Sequence, residues 1–175
     1  EENKPFAIPP FLKDKVQGYA SIVEITKVVQ KYPNGEMDLK TKCTGVGKVL
    51  NFMPQAENKL YPAGVLQVLN NEGTEVHGDL LLRESIAKLI DDLYSGMQIA
   101  EKPFDSIDDI HSYKIGHLVG LEPEEEIILL KTAEENSRLR FIKEHLKKIV
   151  PELKVKQQIE ERIKMNGHFQ KPPSY

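Results

Sequence analysis

The strongest constraint on this chain is a change of hydrophobic period close to Gly73. Before it, apolar residues alternate and turn residues interrupt them; after it, they recur about every 3.6 residues. Strands first and helices second predict an α+β fold: an antiparallel β lobe over 1–77, a helical bundle over 78–166 and a flexible tail over 167–175. With 175 residues the chain is one domain of ordinary size, or two small lobes sharing a core.

In the β part, residues 18–32 are rich in β-branched and aromatic types. Val23 and Ile25 share one parity while Ala20, Ile22 and Val28 share the other, so the strand carries a bulge or is covered on both faces. Pro33-Asn34-Gly35 follows. Asn-Gly tolerates the positive φ of a tight hairpin, which makes Glu36 the start of the return strand. Met37, Leu39, Thr41 and Cys43 then lie on one face, with Glu36, Asp38, Lys40 and Lys42 on the other. That parity predicts Cys43 as a buried core thiol. Gly45 is expected to break the run, with Val46 to Met53 and Leu60 to Leu69 as further strands around a loop holding Pro54. Pro62 suits an edge or a strand start.

Beyond Gly73, Leu82, Ile86, Leu89, Ile90, Leu93 and Met97 form one helical stripe, closed by Gly96 and Pro103. A second helix is expected to begin at Ser106, whose hydroxyl can cap free amides, and to carry Ile107, Ile110, Leu118 and Val119. Leu121-Glu122-Pro123-Glu124-Glu125-Glu126 reads as a helix start, with proline in the first turn and carboxylates at the positive end of the dipole. Ile127, Leu130, Leu139, Ile142, Leu146 and Ile149 continue a buried stripe to about Val150. Pro151 is expected to restart a more polar helix through Met165.

Composition limits the chemistry. A single cysteine excludes an intramolecular disulfide and a thiolate zinc site, and points to a reducing, cytoplasmic compartment. No stretch reaches the roughly 18 apolar residues of a membrane span. The opening Glu1-Glu2-Asn3-Lys4 has neither an initiator methionine nor a signal segment, so further sequence is expected upstream. Ser85-Ile86-Ala87-Lys88 matches S-x-x-K, but the companion S-D-N and K-T-G elements are missing and a helix surface explains it. Gly47-Lys48 is preceded by Lys42 where a phosphate loop needs glycine and is followed by Val49, so no such loop is present. His77, His111, His117, His145 and His168 include no i, i+4 pair, and neither a metal nor any other cofactor is expected. The charge is uneven. Residues 1–71 hold 9 basic and 7 acidic groups, 72–135 hold 5 and 16, and 136–175 hold 10 and 4. Helices from the last two stretches are expected to pack with attracting flanks; the other reading is a basic face for nucleic acid.

The residues left over are aromatic and apolar. Phe11, Phe52, Met53, Leu60 and Tyr61 flank Pro9, Pro10, Pro54 and Pro62, and such stiffened loops hold apolar side chains toward a ligand at low entropy cost. These five are the candidate peptide-binding residues.

Three segments carry a family resemblance: Lys4 to Ile8, Gly18 to Phe52 with its Tyr-Pro-Asn-Gly turn, and Leu118 to Leu139 with its Glu-Pro-Glu-Glu-Glu helix start. Together they resemble the N-terminal substrate-binding domain of the Lon protease family, most closely its stand-alone bacterial versions. The resemblance implies a PUA-like β pseudo-barrel packed on a helical lobe. It also implies recognition of unfolded or damaged polypeptides without catalysis, with a Lon-type protease or a second copy as a further partner. The strands with which the family usually opens are absent here, so part of the barrel wall is expected to be missing. The arginine and aromatic that commonly follow the glycine at Gly45 are replaced by Val46-Gly47-Lys48-Val49. Neither the ATPase nor the proteolytic module fits in 175 residues. PUA-like barrels also bind RNA, which is the alternative function; nucleic acid ranks lower because the β part has little excess charge and poor interleaving of aromatic with basic residues. No membrane role is expected.

Overall fold

The computed structural model describes residues 4–57, 59–101 and 103–166, and the tail expected at 167–175 lies outside them. Among these residues six strands precede four α-helices, so the fold is α+β. The strands are β1 (Phe6–Ile8), β2 (Phe11–Leu12), β3 (Lys15–Val16), β4 (Tyr19–Lys31), β5 (Met37–Met53) and β6 (Ala63–Leu69). The helices are α1 (Leu80–Gly96), α2 (Ser112–Ile115), α3 (Pro123–Lys131) and α4 (Glu135–Asn166). β1, β4, β5 and β6 form one antiparallel sheet in that order, and β2 pairs with β3 alone.

The hairpin turn is where Asn-Gly places it. Gly35 takes φ +89°, its amide donates to Tyr32 O at 3.0 Å, and Tyr32 Oη donates to Asp38 at 2.7 Å. The mixed parity of β4 reflects three register shifts against β5, which leave Thr44, Thr26 and Val29 as extra residues. Two expectations fail here. Gly45 does not break the run, because it pairs with Ile22 beside the Thr44 bulge and β5 continues as one strand to Met53. Cys43 is exposed rather than buried. The cause is the reach of the neighbours: β1 covers only Ser21 to Val23 of β4, and β6 covers only Val46 to Met53 of β5. From Thr26 to Thr41 the hairpin is therefore a two-stranded arm whose apolar residues, including Val29 and Met37, face solvent, while Ile25 nearer the sheet is half-buried.

The β2–β3 hairpin has no sequence signal of the usual kind. Its two turn residues, Lys13 and Asp14, both take positive φ (52° and 59°) without being glycine or asparagine. Lys13 lies 2.9 Å from Glu124 at the start of α3; this hydrogen bond holds the Glu124 carboxyl below its ordinary value.

The apolar core is helical. Ile86, Ile90 and Leu93 of α1 pack with Ile110, Ile115, Val119 and Leu129 and with Leu139, Ile142, Leu146 and Val150 of α4. Asp79 caps α1 by accepting from the Leu82 amide at 2.8 Å. Ser106 caps as expected, but only a single 3-10 turn (Ile107–Asp109), and the helix predicted there is replaced by that turn, the four-residue α2 and a second 3-10 turn. Pro151 does not restart a helix. It sits exposed inside α4, where the carbonyl it leaves without a donor can turn to water. The attraction expected between the acidic and basic stretches appears between α1 and α4 as Lys154 to Asp92 at 2.9 Å.

A buried polar joint connects the end of the sheet to the helices. The Arg138 guanidinium uses all five of its N–H donors: Nε to Ser112 Oγ (2.7 Å), Nη1 to Thr132 O (2.8 Å) and Ala133 O (2.7 Å), and Nη2 to Glu135 (2.8 Å) and Glu72 O. Its guanidinium carbon lies 4.1 Å from the centre of the Tyr113 ring. Glu135 also accepts from the Ser112 amide at 2.8 Å and from its hydroxyl. Removing the cation would strand a buried carboxylate, so Arg138→Ala is expected to lower unfolding free energy by about 3–5 kcal/mol. Arg138→Lys, with three donors in place of five, should recover only part of that in urea titrations; a loss under about 1 kcal/mol for the alanine variant would refute this role for the joint.

At the start of α3, Glu122 and Glu125 form a reciprocal capping box. His145 of α4 bridges Val119 O and Glu125 through its two ring nitrogens, each at 3.1 Å. Burial alone would lift the Glu125 carboxyl, but the Glu122 amide and the His145 ring outweigh it and hold the group below 4.5. A depressed carboxyl stabilises the fold above its unfolded value and loses that contribution as pH falls through its folded value. Stability should therefore fall with acidification below 4.5, and by a smaller amount in Glu125→Gln, when urea midpoints are compared across pH.

Candidate apolar site

The sheet is curled, because residues from its two opposite edges line the same cavity, of about 690 Å³. Phe6 and Ala7 of β1 form one side, with Pro9 and Val16 near them; Ala63, Gly64 and Leu66 of β6 form the other. Ala20, Val49 and Asn51 supply the floor, and Phe52, Tyr61 and Pro62 close the end toward the β5–β6 loop. The register explains the floor: Ala7 pairs with Ile22, Ala20 with Gly47 and Val49 with Leu66, so one face of four strands is presented inward. Small residues keep it concave. A Cβ on Gly64 would lie 2.5 Å from the Asn51 carbonyl oxygen, so only glycine permits that approach of β6 to β5.

Among the described residues nothing charged lines the cavity, and only Asn51 and Tyr61 bring polar side-chain atoms to it. It is suited to burying apolar groups. A larger cleft, of about 810 Å³, lies between β4–β5, residues 70–75, Tyr113 and Leu130, but its lining is mixed, with Lys42, Glu72 and Glu75 beside Val46, Val68 and Leu130, and includes the backbone held by Arg138. His77 and His111 bring their rings within 5.0 Å, a proximity their spacing in the chain does not reveal. Among the described residues no three His, Cys, Asp or Glu groups come together as a metal would require.

Of the five residues read from the sequence, Phe52 and Tyr61 line the cavity. The other three do not. Phe11 is 70% exposed, Leu60 is 100% exposed and Met53 points to solvent. Each of these is nevertheless one step from a lining residue: Phe11 pairs with Val16, Met53 pairs with Ala63, and Leu60 precedes Tyr61. The lining residues the sequence reading missed, Phe6, Val16, Ala20, Val49 and Leu66, look like ordinary strand residues and meet only because the sheet curls.

No protein-family model matches the chain, and a search of curated proteins returns no match. Solved structures do match. One is the crystal structure of a Lon N-terminal domain protein from Xanthomonas campestris, with a TM-score of 0.53 and 17% identity over 78% of this chain and 73% of that one. Another is the N-terminal domain of the Mycobacterium avium complex Lon protease, with a TM-score of 0.51 and 14% identity over 82% and 77% of the two chains. The chain thus has a Lon N-terminal-domain-like fold, as the resemblance implied. At these identities the likeness establishes the fold alone.

If the cavity is the apolar site, an environment-sensitive dye such as anilinonaphthalene sulfonate should report it. Phe52→Ser and Tyr61→Ser are expected to reduce dye fluorescence several-fold, while Phe11→Ser and Leu60→Ser leave most of it. Equal losses in all four variants would show that the dye reads scattered surface instead.

Proposed function

We propose that this chain is a non-catalytic polypeptide-binding domain that holds exposed apolar segments of unfolded or damaged proteins. The observation that carries this reading is the uncharged cavity between two strand edges, in a fold similar to the N-terminal domain of a Lon protease. Unfolded chains differ from folded ones in offering contiguous apolar side chains and unpaired backbone, and such a cavity is suited to both. Phe52 and Tyr61 are the proposed contact residues, with Phe11, Met53 and Leu60 as the apolar surface around them. Burial of one large side chain supplies about 1.5–3 kcal/mol, so truncating Phe52 to alanine should weaken binding by roughly tenfold to a hundredfold. A Lon-type protease or a second copy remains the proposed further partner, and a reducing cytoplasmic compartment suits the single exposed thiol. Among the described residues no helix is long and apolar enough to cross a membrane.

The test is a titration of labelled unfolded polypeptide, its folded counterpart and single-stranded RNA at low and high salt. Preference for the unfolded chain, changing less than about threefold between 50 and 200 mM salt, is the expected result. Binding that falls by orders of magnitude over that range and favours RNA would replace this reading with recognition of phosphates.

A further inference from the structure

The two edges of the curled sheet are treated differently. β1 is three residues long and runs directly into Pro9-Pro10, which cannot donate to a ladder. β6 is seven residues long, Ala63-Gly64-Val65-Leu66-Gln67-Val68-Leu69, with no charge, no proline and no extra residue of its own. Its one partner among the described residues is β5. Long, flat, apolar edges are what natural proteins avoid leaving open, because they present unpaired donors and acceptors to any other strand. Val65 and Val68 are 52% and 70% exposed along this strand, while Ala63, Gly64 and Leu66 line the cavity.

We infer that the outer edge of β6 accepts an extended segment of another polypeptide as an added strand. Such a strand places alternate side chains on opposite faces, so every second one of its residues would enter the cavity and the rest would lie over the side of Val65. The absence of charge in β6 and in the cavity lining selects a neutral segment with large apolar residues at alternate positions. The inference rests on the polypeptide-binding reading and adds its mode: backbone pairing supplies affinity independent of sequence, and the cavity supplies the preference for apolar residues.

The probe is a twelve-residue capped peptide alternating phenylalanine and threonine, with a lysine at each end. Two further versions carry N-methyl groups on one alternate set of amides or on the other. Binding is followed by fluorescence anisotropy, and amide hydrogen exchange is read residue by residue. The expected result is at least a tenfold weaker affinity for one methylated version only, with new protection at alternate β6 amides. Val68→Lys, a change at an exposed position, should also weaken binding several-fold while leaving the urea midpoint unchanged. Equal affinity of both methylated peptides, or protection confined to other strands, would overturn the inference. So would β6 amides already protected before peptide is added: on dilution this identifies a second copy, and in protein isolated from its source it identifies an edge filled in place. Unfolded protein bound without β6 protection sinks the strand pairing alone, whereas peptide pairing without capture of unfolded protein sinks the functional reading alone.

Discussion

A single buried cation sets how the two halves of this molecule meet. Arg138 is fully buried, and taking a guanidinium out of water is tolerable only because every N–H finds an acceptor and Glu135 supplies the opposite charge. Three of those acceptors are backbone carbonyls, at Glu72, Thr132 and Ala133, so the cation fixes the course of the chain as well as the positions of side chains. Glu72 reinforces the joint from its own side: its amide donates to Ala133 O at 2.9 Å, and its carboxylate accepts from the Glu135 amide at 2.6 Å at the start of α4. Asn71 adds hydrogen bonds to Tyr113 and to Leu130 O. The exit from β6 is thereby clamped to the turn between α3 and α4. Apolar packing contributes less at this junction, since the contiguous buried cluster is helical and the sheet adds only Ala20, Val23 and Val46 to the buried apolar residues.

The division into strands and helices was legible in the sequence because it depends on local periodicity. The Asn-Gly turn was legible because its φ angles are a property of those two residues. What alternation could not reveal is whether a third strand lies beyond the second. Met37, Leu39, Thr41 and Cys43 do alternate with charged residues, yet the pattern implies burial only if something covers that face, and neither β1 nor β6 reaches these residues. Cys43 was misjudged for this reason. Lys13-Asp14 was missed because the turn it makes is normally built from residues that adopt positive φ more readily. Pro151 was read as a break because a proline's missing donor is costly in a buried helix; on the exposed side of α4 the cost is smaller.

The candidate site was half legible. Prolines around Phe52 and Tyr61 marked a stiff apolar loop, and that loop does close one end of the cavity. The remainder is a consequence of curvature. Phe6 and Leu66 belong to opposite edges of the sheet, and only its curl brings both to one space. Gly64 is the clearest case, being recognisable as essential only once the Asn51 carbonyl is seen against it. The buried joint was not legible at all, because Arg138 and Glu135 look like any polar pair at the start of a charged helix, and their acceptors come from segments far apart in the chain.

Charge and apolar surface serve different parts of this fold. The acidic middle and the basic end of the sequence suggest a phosphate-binding face, but they pair with each other: Arg138 with Glu135, Lys154 with Asp92, and His145 with Glu125. Among the described residues the cavity in the sheet is lined by no charged group. On the proposed reading, electrostatics acts where the helices are held in register, and recognition falls to a surface that salt screens little. The proposed binding of many unrelated apolar segments would require that separation, because a charged lining would select among clients by their ionic groups before their exposed apolar residues could be read.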